Sequence, residues 1–354
     1  MSSFAVSAAL TAVVRRWALR SDFVARPRED RYNRTVVPLG GGVAIFWTIA
    51  LFLAGALLVV RTGLLRCFGS ELAIHAEGFL GRTGELLVVL GVAMALHVMG
   101  LWDDRKRLGP WSKLAVQFLA AAVAAVFADV RVEFFISSRV VTTILSVLWI
   151  VGIINAFNFL DNMDGLAAGM AVIVCGILFW AAVQAGQVFV GAMGLLLIGS
   201  LLGFLVFNFP PGRIFMGDAG SLVVGFFVAL LTLRTTYYHQ AHGGGLYAVF
   251  MPLVVMAVPL YDFGSVVFLR LRQGKSPFVG DTQHFSHRLR RRGLTDTQTI
   301  LTLYLATLCT GAGAILLHQV GLSGAVLVFA QTLMILVIIA ILEATGQKVD
   351  NNGP

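Results

Sequence analysis

The chain has 354 residues, of which 58% are hydrophobic and only 12% charged, with a formal net charge of +8. Soluble domains carry about 25% charged residues, and the mean hydropathy here is +0.86, so a soluble enzyme is excluded and an integral membrane protein indicated. Continuous rather than alternating apolar runs exclude a β-barrel and make the fold class all-α. The basic excess fits positive-inside topology better than nucleic acid binding.

A polytopic protein with about eleven transmembrane helices is expected, at 1–14, 39–60, 84–101, 113–128, 140–157, 166–184, 188–207, 219–234, 247–269, 297–318 and 321–343. Met1–Val14, followed by Arg15-Arg16, reads as a short first span rather than a cleavable signal. A single transmembrane domain is expected over 1–345, with 346–354 a short, disordered polar tail. Cys67, Cys175 and Cys309 have neither paired nor metal-ligand spacing. Eleven spans put the connections 15–38, 102–112, 158–165, 208–218 and 270–296 on one side. With Lys113 and the tail, that side holds 20 of the 26 Lys and Arg residues. The polar loops are therefore expected in the cytoplasm.

Taken in order, loop 15–38 carries Arg15, Arg16, Arg20, Arg26, Arg28, Arg31 and Arg34, which topology anchoring explains. Loop 102–112 carries Asp103-Asp104-Arg105-Lys106-Arg107, with Lys113 and Gln117 one and two turns into the next helix. The paired carboxylates can bind a divalent cation, act as a base, or pair with Arg105 and Lys106. The stretch Asn155 to Gly165 sets Asn155, Asn158, Asp161 and Asp164 at three-residue steps between two apolar runs. Polar groups are costly there. Oxygen ligands of this kind suit Mg²⁺, which uses one or two carboxylates plus substrate phosphates; the simpler reading is capping of the next helix. In loop 208–221, Gly217 and Gly220 allow close backbone approach, Asp218 is a cap or a metal ligand, and Ser221 follows. Loop 270–292 brings Arg270, Arg272, Lys275, Asp281, His284, His287, Arg288 and Arg290 to Arg292. Such a cluster fits a polyanion such as a diphosphate, or anionic lipid headgroups for its last arginines; a zinc site needs more ligands than it offers. His75, His97, His239, His242 and His318 read as structural or solvated, whereas Asp262, a buried acid near a basic loop, needs a partner.

Four pieces in this order, Gly100-Leu101-Trp102-Asp103-Asp104 with Lys113 and Gln117, Asn155 to Gly165, Phe215 to Ser221, and Ser276-Pro277-Phe278 through Asp281, His284, His287 and Arg288, resemble the polyprenyl-phosphate N-acetylhexosamine-1-phosphate transferase family of glycosyltransferase family 4 type. The resemblance implies transfer of a sugar 1-phosphate, most simply N-acetylglucosamine, from its UDP donor to undecaprenyl phosphate, releasing UMP. It implies Mg²⁺, with Mn²⁺ as a substitute, a bacterial plasma-membrane location with a cytoplasmic-face active site, and a homodimer. By the same resemblance Asp218 and Asn158 hold the metal. Asp103 and Asp104 serve the lipid phosphate, and Asp161 and Asp164 shape the pocket. His284, His287 and Arg288 grip the diphosphate or sugar, and Lys113, Asn155, Arg272, Gly217 and Ser221 line the substrates. Three positions depart from the family's habit. Asn162 replaces a glycine, Ser286 stands where a histidine is usual, and Asn33 likewise. The absence of three consecutive histidines argues for the simple-sugar branch over a muramoyl-pentapeptide donor. A secondary transporter is the rival of another class, but no internal repeat is present and the acids sit at span ends rather than mid-bilayer.

Overall fold

The computed structural model describes residues 1–26, 36–64, 76–132, 136–237, 246–276 and 284–344. Helix α1 (Ser2–Arg20) leads to a two-stranded antiparallel ribbon, β1 (Val24–Ala25) and β2 (Val37–Pro38), which pairs Val24 with Pro38 and Ala25 with Val37. Then come α2 (Gly41–Arg61), α3 (Ala76–Gly81), α4 (Thr83–Arg105), α5 (Pro110–Phe127), α6 (Arg139–Leu160), α7 (Leu166–Gln184), α8 (Val188–Asn208) and α9 (Asp218–Arg234). After a 3₁₀ turn (Leu246–Phe250) follow α10 (Met251–Val255), α11 (Ala257–Arg272), α12 (Phe285–Arg291), α13 (Asp296–Leu316) and α14 (Leu322–Ala344).

Each of the eleven expected spans is helical, but the number is not supported as such. Among the described residues eight helices are long and apolar enough to cross a membrane. A ninth span results if the segments Leu246–Val255 and Ala257–Arg272, bent by 63° at their junction, count as one. The two that fall short have evident reasons. Helix α1 ends in Arg15, Arg16 and Arg20, and α9 has only 17 residues.

Helix α9 is the hub. Ala219 through Thr232 are all buried, as expected of a helix that is apolar all round, and it packs against α2, α4, α6 and α7. Its C-terminal end is fixed by Arg234, which pairs with Glu85 of α4 at 2.6 Å; a cation there also complements the helix dipole. Trp149 of α6 donates to Thr232 Oγ1 at 2.8 Å.

The two helices that carry Asp103, Asp104 and Asn158 run past their expected ends. Helix α4 continues through Arg105, and α6 through Leu160, because the stop signals come only at Gly109-Pro110 and Gly165. Asp103, Asp104 and Asn158 therefore project from last helical turns rather than from loops. The segment 209–217 is pinned to the start of α2, with Gly41 N–H donating to Phe215 O and Gly42 N–H to Met216 O, each at 2.9 Å. Arg28, Arg31, Asn33, Arg34, Cys67, His75, His239, His242, Pro277, Phe278, Asp281 and the tail 346–354 lie outside the described residues.

Candidate active site

The first half of the site forms where the C-terminal end of α4 meets the N-terminal ends of α5 and α9. An α-helix begins with backbone N–H groups that lack intrahelical partners. At α9 they are met from another helix: Asp104 accepts from Asp218 N at 2.9 Å and from Ala219 N at 3.2 Å. Asp104 is thus a tertiary cap, and its two oxygens are committed to backbone. The preceding residue must be small. Gly217 has φ +71°, and a Cβ added there would lie 2.5 Å from an Asp104 oxygen. His97 stacks on Phe46, with ring centroids 4.5 Å apart, and its Nδ1 lies 3.0 Å from the Ala219 carbonyl. It belongs to the same support.

Asp103, on a neighbouring face of α4, accepts from Leu108 N at 2.7 Å and from Lys113 Nζ at 3.0 Å. The same ammonium pairs with Asp218. The other Asp218 oxygen accepts from Asn158 Nδ2 at 3.0 Å, and that amide also donates to Ser221 Oγ at 2.9 Å. Asn158 therefore presents N–H to Asp218 and acts as its orienting partner, while its Oδ1 takes no part in these two bonds. Side-chain exposures of 15% for Asp103, 20% for Lys113 and 23% for Asp218 leave the group open to an incoming ligand. Two carboxylates, Asp103 and Asp218, share one ammonium, and this negative excess suits a divalent cation bound through one or two carboxylates and substrate phosphates. The donor set fits Mg²⁺ at Asp218 with Asp103.

The turn 161–165 between α6 and α7 is the second element. Asp164 accepts from Gly212 N at 2.9 Å. Burial, with a smaller contribution from the nearby Asp296 charge, raises its pKa, opposed by the Gly212 N–H. Gly165, at φ +75°, receives the side chain of Asn208 on its N–H at 2.9 Å. Asp164 therefore fastens the loop that carries Gly217. Asp161 closes α6 and is half-buried. Asn155 lies deeper, buried, and donates to Gln117 Oε1 of α5 at 2.5 Å and to Val151 O at 2.8 Å. It joins two helices rather than lining the substrate side.

The basic half gathers around α12. Asp262 of α11 accepts from Phe285 N at 2.8 Å and lies 3.3 Å from His284 Nδ1. Arg288 donates to Ser265 Oγ at 2.7 Å and pairs with Glu343 of α14 at 3.3 Å. Burial, then the charge of His284, lowers the His287 pKa to about 4, with Arg290 and Arg291 adding to the effect and Asp262 opposing it. His287 is accordingly a neutral imidazole at neutral pH, a hydrogen-bonding group rather than the positive charge the sequence led us to expect. Arg272 is exposed and stands outside the cluster. Arg270 takes its place: it is 2% exposed, with its guanidinium 5.1 Å from the Phe159 ring centroid. Four-residue spacing marks Asp262, Val266 and Arg270 as one buried stripe, a signal that separates Arg270 from Arg272. Glu343, which the sequence reading passed over, has no such local signature.

The last turn of α6 joins the halves. Asn158 reaches Asp218, while the next residue, Phe159, meets the His284 ring edge-on at 5.3 Å and the Arg270 guanidinium. Ser286 donates to Asn162 Oδ1 at 2.5 Å. Two of the three departures from the family pattern are therefore partners.

Compared with known proteins, residues 86–236 match the family described as glycosyl transferase family 4. That stretch contains Asp103, Asp104, Lys113, Asn158, Asp161, Asp164 and Asp218 and ends before the basic half. A Bacillus subtilis protein named as a probable undecaprenyl-phosphate N-acetylglucosaminyl 1-phosphate transferase is 30% identical over 318 residues, 88% of this chain and 81% of that protein. The decaprenyl-phosphate N-acetylglucosaminephosphotransferase of Mycobacterium tuberculosis (strain H37Rv) is 32% identical over 83% of this chain and 76% of its own length. The undecaprenyl-phosphate alpha-N-acetylglucosaminyl 1-phosphate transferase of Yersinia pestis is 28% identical over 92% of this chain and 83% of its own length. With a match running through both halves of the site and across nearly the whole chain, this multi-pass membrane protein belongs to the polyprenyl-phosphate N-acetylhexosamine-1-phosphate transferase family.

Proposed function

We propose that the chain transfers N-acetylglucosamine 1-phosphate from UDP-N-acetylglucosamine to undecaprenyl phosphate, giving the lipid diphosphate sugar and UMP. The names of its relatives support this donor and acceptor. The observation that carries the chemistry is the Asp103–Lys113–Asp218 group at the N-terminus of α9. An oxygen of the lipid phosphate attacks the sugar-bearing phosphorus of the donor, and the bond to the bridging oxygen breaks as UMP leaves. Such transfers need positioning and charge neutralisation more than covalent help from the protein. A phosphate monoester has its second pKa near about 6, so the nucleophile is already largely a dianion.

Mg²⁺, when bound, neutralises charge on the diphosphate. The chain's own residues hold the place for it: Asp104 fixes the end of α9, Asn158 turns Asp218, and Lys113 keeps Asp103 and Asp218 together. Asp103 positions the lipid phosphate, and Arg270 with His284 and His287 faces the donor. The Lys and Arg distribution supports a cytoplasmic active-site face in a bacterial plasma membrane. A homodimer belongs to the same reading, and mass photometry in nanodiscs tests it.

Purified protein with Mg²⁺, undecaprenyl phosphate and UDP-N-acetylglucosamine should release UMP. Asp218→Ala should lower turnover about 100-fold or more, and unchanged turnover would remove Asp218 from the site. A donor panel including UDP-N-acetylmuramoyl-pentapeptide separates the sugars. UMP exchange into the donor without lipid would replace direct attack by a phospho-aspartate.

A further inference from the structure

Helix α12 has only seven residues, and isolated helices shorter than about 12–15 residues are marginal by themselves. Its place must come from tertiary anchors. Asp262 and Ser265 tie it to α11, and Glu343 ties it to α14. A different contact faces the acidic turn. Ser286, 1% exposed, donates to Asn162 Oδ1 at 2.5 Å, and Asn162 Nδ2 donates to Phe159 O at 2.5 Å. The amide of Asn162 thus has its nitrogen fixed on the end of α6 and its oxygen held out to α12. Because Nδ2 is committed to the helix end, the acceptor is pre-aimed, and a buried hydroxyl that lost it would be left unsatisfied. The neighbours of Asn162 in the turn are Asp161 and Asp164, and those of Ser286 in α12 include His284, His287 and Arg288.

We infer that Asn162 and Ser286 are positioning residues for donor binding: their hydrogen bond sets the distance between the carboxylate turn and the His284–Arg288 face, and with it the fit of the UDP-sugar. This rests on the assignment of the donor to that face under the proposed function. Neither side chain is required to touch substrate. Ser286 belongs to the helix assigned to the donor and Asn162 to the turn bonded to it, whereas Asp103 and Lys113 belong to α4 and α5. Their loss should therefore be felt in the KM for the UDP-sugar before kcat or the KM for the lipid.

The test is a double-mutant cycle with Ser286→Ala, Asn162→Ala and the pair, titrating each substrate in a UMP-release assay. Each single variant should raise the donor KM by about 3–10-fold, the size of one lost hydrogen bond, with kcat and the lipid KM within about twofold. The double variant should be no worse than the poorer single one. Independent, multiplying effects, or a fall in kcat with donor KM unchanged, would overturn the inference. If Ser286→Ala does not fold, Asn162→Ala decides alone by the same split. Amide hydrogen exchange supplies an arm that needs no turnover. Residues 284–291 should exchange faster in either variant, while 96–108 and 218–234 are unaltered. No UMP release by the wild type with any donor would sink the proposed function instead, and the exchange arm would then decide the positioning: unchanged exchange would refute it.

Discussion

Asp103 and Asp104 are adjacent in sequence and divided in task. One is held beside an ammonium at the mouth of the site, and the other is folded into the start of α9. Their substitutions should part accordingly. Asp104→Ala should lower stability by about 1–3 kcal/mol, because two buried backbone donors lose their acceptor, and Gly217→Ala should do likewise through its φ of +71° and its crowding of Asp104. Asp103→Asn should leave the melting temperature in detergent within about 1 °C, the shift of roughly half a kcal/mol in a chain of this size, yet reduce turnover. The sequence made the carboxylates visible, since charge is sparse in so apolar a chain. It did not reveal which acid serves a helix end, because capping rules are local and Asp104 stands 114 positions from Asp218. The same blindness hid Glu343, whose partner Arg288 comes from a distant helix.

At the level of elements, the apolar runs located every long helix but not the short α3 and α12, which lie in stretches read as connections, and the site was set by helix ends, where hydropathy says least. Helices α4 and α6 each ran on past their apolar runs to Arg105 and Leu160, short of Gly109 and Gly165, carrying Asp103, Asp104 and Asn158 into regular structure. Where local chemistry governs an end, it was decisive. Thr295 accepts from Gln298 N at 3.2 Å while Gln298 Oε1 accepts from Thr295 N at 2.9 Å, a reciprocal capping box. Thr295→Ala should cost about 1 kcal/mol, read as earlier thermal unfolding, and should leave the donor KM alone because the capping pair bonds to itself rather than to a site side chain. A matching loss of donor affinity would show that α13 supports α12 more directly than its contacts indicate.

For the whole molecule, His287 predicts how stability responds to acid. Its pKa is about 4 in the folded chain against 6.5 for the free group, so the unfolded chain binds the extra proton first. Its contribution is fully present above about pH 6.5 and is lost as pH falls toward about 4. Thermal unfolding should therefore move to lower temperature across that window, and His287→Gln should flatten this part of the profile. An unaltered slope in the variant would place the acid sensitivity elsewhere. Burial of this order follows from packing α11, α12 and α14 together, and no stretch of sequence around His287 encodes it. The count of eleven spans is not supported as such for a related reason. Membrane crossing is a property of a helix and its surroundings, and α9, almost wholly enclosed by protein, need not meet the length that lipid demands.

The last turn of α6 has one more consequence. Asn158 and Phe159 are successive residues, separated by about 1.5 Å along the helix axis and about 100° around it, yet they touch opposite chemistries. One bears on the acid that would hold the metal, the other on the cationic side. The two cannot be moved apart without unwinding that turn. Under the proposed function, that turn fixes the spacing between the two jaws that a diphosphate would bridge.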